Sequence, residues 1–302
     1  MTRQLMPIAK ELLSRHFSVD ENPQDEPLSR DELKRVLKEY DGILSTIPDR
    51  LDRDILSGAN LRVISNCAAG LDNVDLVAAK EKNITVFNVP DATTESTADL
   101  TFAILLSLIR KVGEAKAYVR EGRWRGWEPA LLLGEELSGK NFGIIGYGKI
   151  GKAVANRALA FGLKVLVYTR SPITDSRVRQ VGLDELYTES DYISIHAPLT
   201  PQTLGMIDKK ALQKMKRHPI LINMARGSMI KTDDLVKALM EGAIRGAALD
   251  VTDPEPLAGS HPLCHLENCL VLPHIGSATV ECRTNMSRIA AQNIIGYFRD
   301  QS

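Results

Sequence analysis

Short apolar runs of four or five residues alternate along this chain with segments whose apolar positions recur every three or four residues. Runs of that length, bounded by turn-forming residues, predict buried strands, and the longer period predicts amphipathic helices. In the first part the strands are expected at Gly42–Thr46, Leu61–Ser65 and Ile84–Asn88, with helices at Pro7–His16, Arg30–Tyr40 and Val74–Lys82. Val89–Ser96 is short, polar and proline-bearing, as a linker is, and a single helix is expected from about Thr97 to Arg120. Further strands are expected at Asn141–Ile145, Lys164–Tyr168, Asp191–Ile195, Ile220–Met224, Gly246–Asp250 and Leu270–Leu272. Helices are expected to end near Phe161 and to cover Lys209–Lys216, Thr232–Glu241 and Thr279–Arg299. Strands that alternate with helices in this way predict an α/β fold of two doubly wound parallel-sheet domains. The first is expected at 1–91 with the C-terminal segment 274–302, and the second at 92–273.

The stretch from Asn141 to Arg170 gives the second domain its chemistry. An apolar run leads into Gly146-Tyr147-Gly148-Lys149-Ile150-Gly151, a helix-period segment follows, and a second apolar run ends at Tyr168. Strand, glycine turn, helix and strand in this order are the context that a dinucleotide fingerprint requires. Gly146 is expected to make the tight turn, Gly148 to let backbone N–H groups approach a pyrophosphate, and Gly151 to let the helix pack on the strand. The N-terminus of the helix adds partial positive charge. The other reading is three glycines that serve helix–strand packing alone.

An acidic side chain about 20 residues past the glycines ordinarily accepts hydrogen bonds from the ribose 2′-OH of NAD. Here the second strand ends in Thr169-Arg170-Ser171, without a carboxylate. A guanidinium and two hydroxyls suit a 2′-phosphate, which an acid would repel. The expected cofactor is therefore NADP(H) in preference to NAD(H), unless Arg170 is a solvated loop residue and the choice is set elsewhere.

Composition narrows the partners. The chain of 302 residues has room for two domains, and 38 acidic residues balance 38 basic ones. Nothing in that balance suggests a nucleic acid or an anionic membrane surface. No apolar run approaches the roughly 18 residues of a membrane span, and Met1–Lys10 lacks the apolar core of a signal peptide, so a soluble cytoplasmic protein is the expectation. Four cysteines without a C-x-x-C pair fit a reducing compartment. His261, Cys264, His265 and Cys269 cluster in sequence, but their spacing is not that of a common zinc site. They are read as core and loop residues, with no metal expected.

Three ionisable residues follow strands of the second domain: Arg226 after Ile220–Met224, Glu255 after Gly246–Asp250, and His274 after Leu270–Leu272. Ligands of open α/β sheets bind at the carboxyl ends of strands, so the three are expected to converge. Together they suit hydride transfer to a 2-oxo acid. Arg226 would bind the carboxylate and polarise the keto group, His274 would donate the proton, and Glu255 would orient the ring and favour its protonated form. Singly, each has an ordinary alternative: a surface salt bridge, a loop acid, a core histidine.

These residues sit in long motifs: CAAGLDNVD at 67–75, GYGKIG at 146–151, HAPLTPQT at 196–203, NMARG at 223–227, GAALDVTDPEPL at 246–257 and LPHIGSAT at 272–279. In this order they resemble the D-isomer-specific 2-hydroxyacid dehydrogenases over nearly the whole chain, and within that family the glyoxylate/hydroxypyruvate reductases. The resemblance implies a Rossmann cofactor domain inserted between the parts of a smaller flavodoxin-like substrate domain, with the active site in the cleft between them. It implies that Arg226, Glu255 and His274 are catalytic. It also implies that Ala68, Ala69 and Gly70 hold the substrate carboxylate through backbone N–H groups and that Ser277 lies beside the catalytic histidine. Asp250 matches the residue that holds the nicotinamide carboxamide. Thr97, the stretch Pro198–Thr200, Thr203, Ala225 and Gly276 fall where the family contacts cofactor. The partners implied are a small 2-oxo acid and a second copy of the chain, paired through the cofactor domain and the loop of Trp124 and Trp127.

Two departures accompany the resemblance. The family's first strand normally precedes the segment that begins here at Thr2, so the first sheet is expected to lack an edge strand. The chain also stops at Ser302, before the tail of many members. Two other activities stay open: a dehydrogenase of the same fold for D-glycerate 3-phosphate or a sugar-derived 2-keto acid, and a dinucleotide-sensing scaffold like the corepressors that share the fold.

Overall fold

A computed structural model describes residues 1–215 and 218–300. The chain forms two compact units, Met1–Thr93 with Ser277–Ser302, and Thr94–Gly276. In chain order the first unit opens with α1 (Ile8–Ser14), α2 (Arg30–Glu39), β1 (Gly42–Ser45), α3 (Arg53–Ser57), β2 (Val63–Asn66), α4 (Leu76–Glu81) and β3 (Thr85–Phe87). The second unit holds α5 (Thr94–Ile109), α6 (Val112–Arg120), β4 (Asn141–Ile145), α7 (Lys149–Ala160), β5 (Lys164–Tyr168), β6 (Arg179–Gln180) and α8 (Leu183–Glu189). It continues with β7 (Tyr192–Ile195), α9 (Lys209–Lys214), β8 (Ile220–Asn223), α10 (Thr232–Met240), β9 (Gly246–Leu249) and β10 (Cys269–Val271). Finally α11 (Val280–Arg299) returns to the first unit.

The first unit is built on a parallel three-stranded sheet in the order β1-β2-β3. Side chains alternate across it. Ile43 and Ile64 face α2, α3 and α4 through Leu33, Leu37, Ile55 and Ala78, while Leu44 and Val63 face α1 and α11 through Ala9, Leu13, Met286 and Ala290. The sheet is thus covered on both faces, as parallel sheets are. Local signals start the helices: Ser29 and Glu32 form a reciprocal capping box on α2, and Asp52 and Asp75 cap α3 and α4. On the free side of β1, the Thr2 N–H donates to the Leu44 carbonyl at 3.1 Å. The chain start thus covers part of the edge that an added strand would fill.

The second unit carries a parallel seven-stranded sheet in the order β10-β9-β8-β7-β4-β5-β6. Strand order reverses between β4 and β7, which makes their carboxyl ends the ligand-binding crevice of such a sheet. Phe142, Ile144, Val165, Val167 and Ile222 point to the face covered by α5 and α7. Ile145, Leu166, Ile193, Ile195 and Leu221 point to the face covered by α8, α9 and α10. With both faces apolar, polar chemistry is left to the strand ends. No helix among the described residues is long and apolar enough to cross a membrane.

Several elements differ from the sequence reading. The helix expected over 97–120 is two helices, and the linker expected to run to Ser96 ends where α5 begins at Thr94. Lys111 adopts left-handed backbone (φ 52°) between α5 and α6 without a side-chain cap. The cause lies in packing: α5 buries Ala98, Phe102, Leu105 and Ile109, whereas α6 buries no residue. The short α3, α8 and β6 are additions that the apolar pattern does not predict. The units change over at 93/94 and 276/277, so His274 belongs to the second unit. The end of the expected helix at Lys216 lies outside the described residues, as do Gln301 and Ser302.

A ladder of rings joins α5 and α7 to the sheet. Phe102 stacks on Phe142 at 5.6 Å and on Phe161 at 5.1 Å. Phe142 is fully buried and Phe161 is 43% exposed. Phe142→Ala is expected to destabilise by about 3–5 kcal/mol, and Phe161→Ala by clearly less, measured as shifts in urea midpoint. Equal losses would show that the outer ring is as much core as the inner one.

Candidate active site

The glycine turn occupies the reversal point. Gly146 leaves β4 with φ +97°, and a Cβ there would lie 2.6 Å from the Ala197 backbone nitrogen. At Gly151 a Cβ would lie 2.1 Å from the Gly146 carbonyl oxygen, so the turn tolerates no side chain at that position. Gly148 differs from both. Nothing in the protein lies within 4 Å of where its Cβ would be, so no protein contact requires glycine there; a phosphate approaching the backbone would. Gly148 is also the N-cap of α7 and caps it with no side chain, which leaves the first N–H groups of the helix for a ligand. Lys149 and Ile150 begin that helix.

Beyond β5 the chain turns back on itself. The Gln180 side-chain amide donates to the carbonyls of Thr169 and Ser171, each at 3.1 Å, and its oxygen accepts from the Ile173 N–H at 3.1 Å. Asp175 receives the Tyr147 hydroxyl at 3.2 Å and pairs with Arg177, which reaches Asn156 of α7. The Arg177 guanidinium, with its N–H and the Tyr147 hydroxyl, holds the Asp175 carboxyl well below the usual range. This segment therefore folds over the glycine turn. Arg170 stands exposed in it and makes no ion pair among the described residues.

The strand ends bring the three ionisable residues into one region of the second unit. His274 Nδ1 lies 2.6 Å from Glu255 Oε1, and the Arg226 charge acts on the same carboxylate. Burial alone would raise the Glu255 carboxyl, but the His274 hydrogen bond, the His274 and Arg226 charges and a Thr252 backbone contact lower it below its ordinary value. Arg226 is anchored at its backbone, where the Asn223 amide donates to its carbonyl at 2.9 Å. Its guanidinium donates to the Ala225 carbonyl at 2.8 Å. His274 has left-handed backbone (φ 53°), which costs a non-glycine residue about 1–2 kcal/mol. Asp250 holds it there. Its two carboxylate oxygens accept from the N–H groups of Ile275 at 2.7 Å and Gly276 at 2.8 Å, and its carbonyl accepts from the His274 N–H at 2.9 Å. Burial pushes the Asp250 carboxyl up while those N–H groups oppose the shift. The Thr97 hydroxyl donates to the Gly276 carbonyl at 3.3 Å, which ties α5 to the same turn.

The stretch Pro198–Thr203 closes on itself, with the Thr203 hydroxyl donating to the Pro198 carbonyl at 2.8 Å. At the end of β7 the His196 Nε2 pairs with the Ser194 hydroxyl at 2.8 Å, and burial lowers this imidazole to about 3, so it is neutral. In the first unit, the loop Cys67–Gly70 follows β2. Ser277 is where the chain re-enters that unit. Of the clustered histidines and cysteines, His261 accepts the Leu263 N–H and His265 pairs with the Gly259 carbonyl. Among the described residues no group of three or more such side chains is placed to hold a metal ion. The sequence reading missed Gln180 and the asparagines around the 67–70 loop, since an amide gives no signal until its distant carbonyls are known.

The family model described as "D-isomer specific 2-hydroxyacid dehydrogenase, NAD binding domain" matches residues 102–276. A glyoxylate reductase of Thermococcus litoralis is 39% identical, over all of this chain and 93% of its own length. A glyoxylate reductase/hydroxypyruvate reductase of Homo sapiens is 41% identical, over 94% of this chain and 88% of its own. The solved structure of the TT0316 protein from Thermus thermophilus superposes with a TM-score of 0.94 at 42% identity, covering 99% of this chain and 96% of that one. The chain belongs to the D-isomer-specific 2-hydroxyacid dehydrogenase family. Its second unit is a nicotinamide dinucleotide-binding domain, and the glycine turn fits that cofactor.

Gly151→Ala is expected to weaken dinucleotide binding at least tenfold, because the new methyl displaces the Gly146 carbonyl and with it the phosphate-facing turn. Fluorescence titration with reduced cofactor measures this. Unchanged affinity in a folded variant would remove the turn from the binding site.

Proposed function

We propose that the protein reduces a small 2-oxo acid of the glyoxylate or hydroxypyruvate type to a D-2-hydroxy acid, with NADPH as reductant. The observation that carries this reading is the 2.6 Å contact between His274 Nδ1 and Glu255, in a family member whose relatives include named glyoxylate and hydroxypyruvate reductases. Because Nδ1 is engaged, His274 Nε2 is the atom left to carry a proton toward substrate. Glu255, held in its ionised form, orients the ring and stabilises its positive charge. Arg226 takes the substrate carboxylate and polarises the adjacent keto group. The reduced nicotinamide, when bound, supplies a hydride to the keto carbon, and His274 gives its Nε2 proton to the keto oxygen. Ala69 and Gly70 are assigned to the substrate carboxylate; Ala68, expected to join them, is not, because its N–H donates to the Asn66 carbonyl at 2.7 Å. Ser277 is assigned to substrate, and Thr97, Pro198, Thr203, Ala225, Asp250 and Gly276 to the cofactor.

The preference for NADPH rests on the turn after β5. Thr169, Arg170 and Ser171 offer a guanidinium and two hydroxyls, and the nearby Asp175 carboxylate is engaged by Arg177 and Tyr147. A homodimer accords with α6, which buries no residue, and with Trp124 and Trp127, which are 60% and 86% exposed.

A panel of 2-oxo acids with NADPH and NADH, followed at the nicotinamide absorbance, tests the assignment; absence of turnover with every acid would favour a dinucleotide-sensing scaffold. His274→Ala is expected to lower kcat by roughly 10²–10⁴, the range for losing a general acid, with little change in cofactor affinity. A variant that keeps kcat within a factor of two would exclude His274 as the acid. Arg170→Ala is expected to cost about 1.5–3 kcal/mol of NADPH affinity and to leave NADH almost unchanged, since NADH lacks the 2′-phosphate. A parent enzyme with the higher kcat/KM for NADH would end the cofactor reading and leave the catalytic one standing.

A further inference from the structure

The loop after β2 has an uneven hydrogen-bond account. Every carbonyl of Ala68, Ala69 and Gly70 is taken: Ala68 by the Val89 N–H at 2.9 Å, Ala69 by the Asn88 amide at 2.7 Å, and Gly70 by the Asn66 amide at 3.1 Å. The N–H of Ala68 also turns inward, to the Asn66 carbonyl at 2.7 Å. The N–H groups of Ala69 and Gly70 have no partner among the described residues. Two adjacent N–H groups with their carbonyls turned away form the concavity that binds an anion. An unpartnered N–H is costly when buried and useful when a ligand fills it.

What keeps the loop in this state is a set of side-chain amides. Asn66 and Asn73 are buried and bond each other reciprocally, at 3.0 and 3.3 Å. Asn73 also donates to the carbonyls of Thr46 and Asp49, at 3.1 and 3.0 Å, and the Ser45 hydroxyl donates to the Asn66 oxygen at 3.1 Å. The pair therefore staples the loop to the chain that follows β1. Asn88 is secured separately, its own carbonyl accepting from Asn293 of α11 at 3.3 Å. An asparagine amide suits this task because it donates to a carbonyl without bringing charge beside a carboxylate.

We infer that Asn66, Asn73 and Asn88 are positioning residues that fix the Ala69 and Gly70 carbonyls inward and so present the Ala69 and Gly70 N–H groups to the carboxylate of the 2-oxo acid. The inference rests on the reading of this loop as the carboxylate site. Asn88 is the residue to change first, since it is half-buried and outside the buried amide pair. Asn88→Ala is expected to raise KM for glyoxylate roughly tenfold, about the effect of degrading a hydrogen bond to a charged group. It should change kcat less than threefold and leave the Kd for NADPH unchanged. Asn88→Asp keeps the size and loses the donor, and is expected to raise KM at least as much, which covers an Ala variant that fails to fold.

Amide hydrogen exchange supplies a readout apart from turnover. In the parent holoenzyme, oxalate is expected to slow exchange in a peptide spanning 66–73, and in Asn88→Ala the same oxalate concentration should protect it less. A parent that is protected by oxalate, with an Asn88 variant equal to it in KM and protection, would overturn the positioning role and leave the carboxylate site standing. A parent that is not protected would overturn the carboxylate site, and the positioning role with it. Losses of substrate and cofactor affinity in equal measure would show Asn88 to be a general structural residue.

Discussion

The constraint on which the second unit depends is a parallel sheet covered by helices on both faces. The buried apolar side chains of β4 meet apolar neighbours on both faces: Phe142 and Ile144 on one side, Ile145 on the other. A charged group has no place along such a strand, because burying it unpaired costs far more than one strand residue returns. Chemistry is left to the ends, and the reversal of strand order between β4 and β7 opens a crevice at one of them. The glycine turn, the turn at 198–203, Arg226, Glu255 and His274 all follow carboxyl ends of strands for this reason.

Presentation of backbone N–H groups is the device common to both units. At Gly146–Gly151 it is achieved by removing side chains, so that the start of α7 stands open. At Ala69 and Gly70 it is achieved by occupying the carbonyls, so that only donors remain. Under the proposed function the two solutions suit their anions. A pyrophosphate is bulky and needs the space that Gly148 leaves, whereas a small carboxylate needs two donors held still.

Much of this was legible in the sequence because it follows from local patterns. The strand-like runs, the glycine spacing and the residues after each run come from neighbours in sequence, so Arg226, Glu255 and His274 stood out without coordinates. Boundaries set by tertiary packing were not legible. Ile109-Arg110-Lys111-Val112 contains neither proline nor glycine, and the apolar period runs on through it. The helix breaks there because its buried face ends at Ile109. The amides were hidden for a related reason. Asn88 and Ala69 are 19 residues apart, and Gln180 and Thr169 are 11 apart, so only the fold brings donor to carbonyl.

His274 shows how these levels meet. Left-handed backbone is unfavourable for a histidine, and a helix cap or a glycine would relieve it. The turn is kept instead by Asp250, whose carboxylate binds the next two N–H groups while its carbonyl binds that of His274 itself. Asp250 is buried at the end of β9, so the histidine takes its position from the rigid sheet, and Glu255 needs only to fix the ring. Backbone strain of this size persists when the surroundings over-determine it, and here three hydrogen bonds from one residue do so. Asp250 thus has a structural duty whether or not it also meets the nicotinamide, and each of its oxygens retains a lone pair for that second contact.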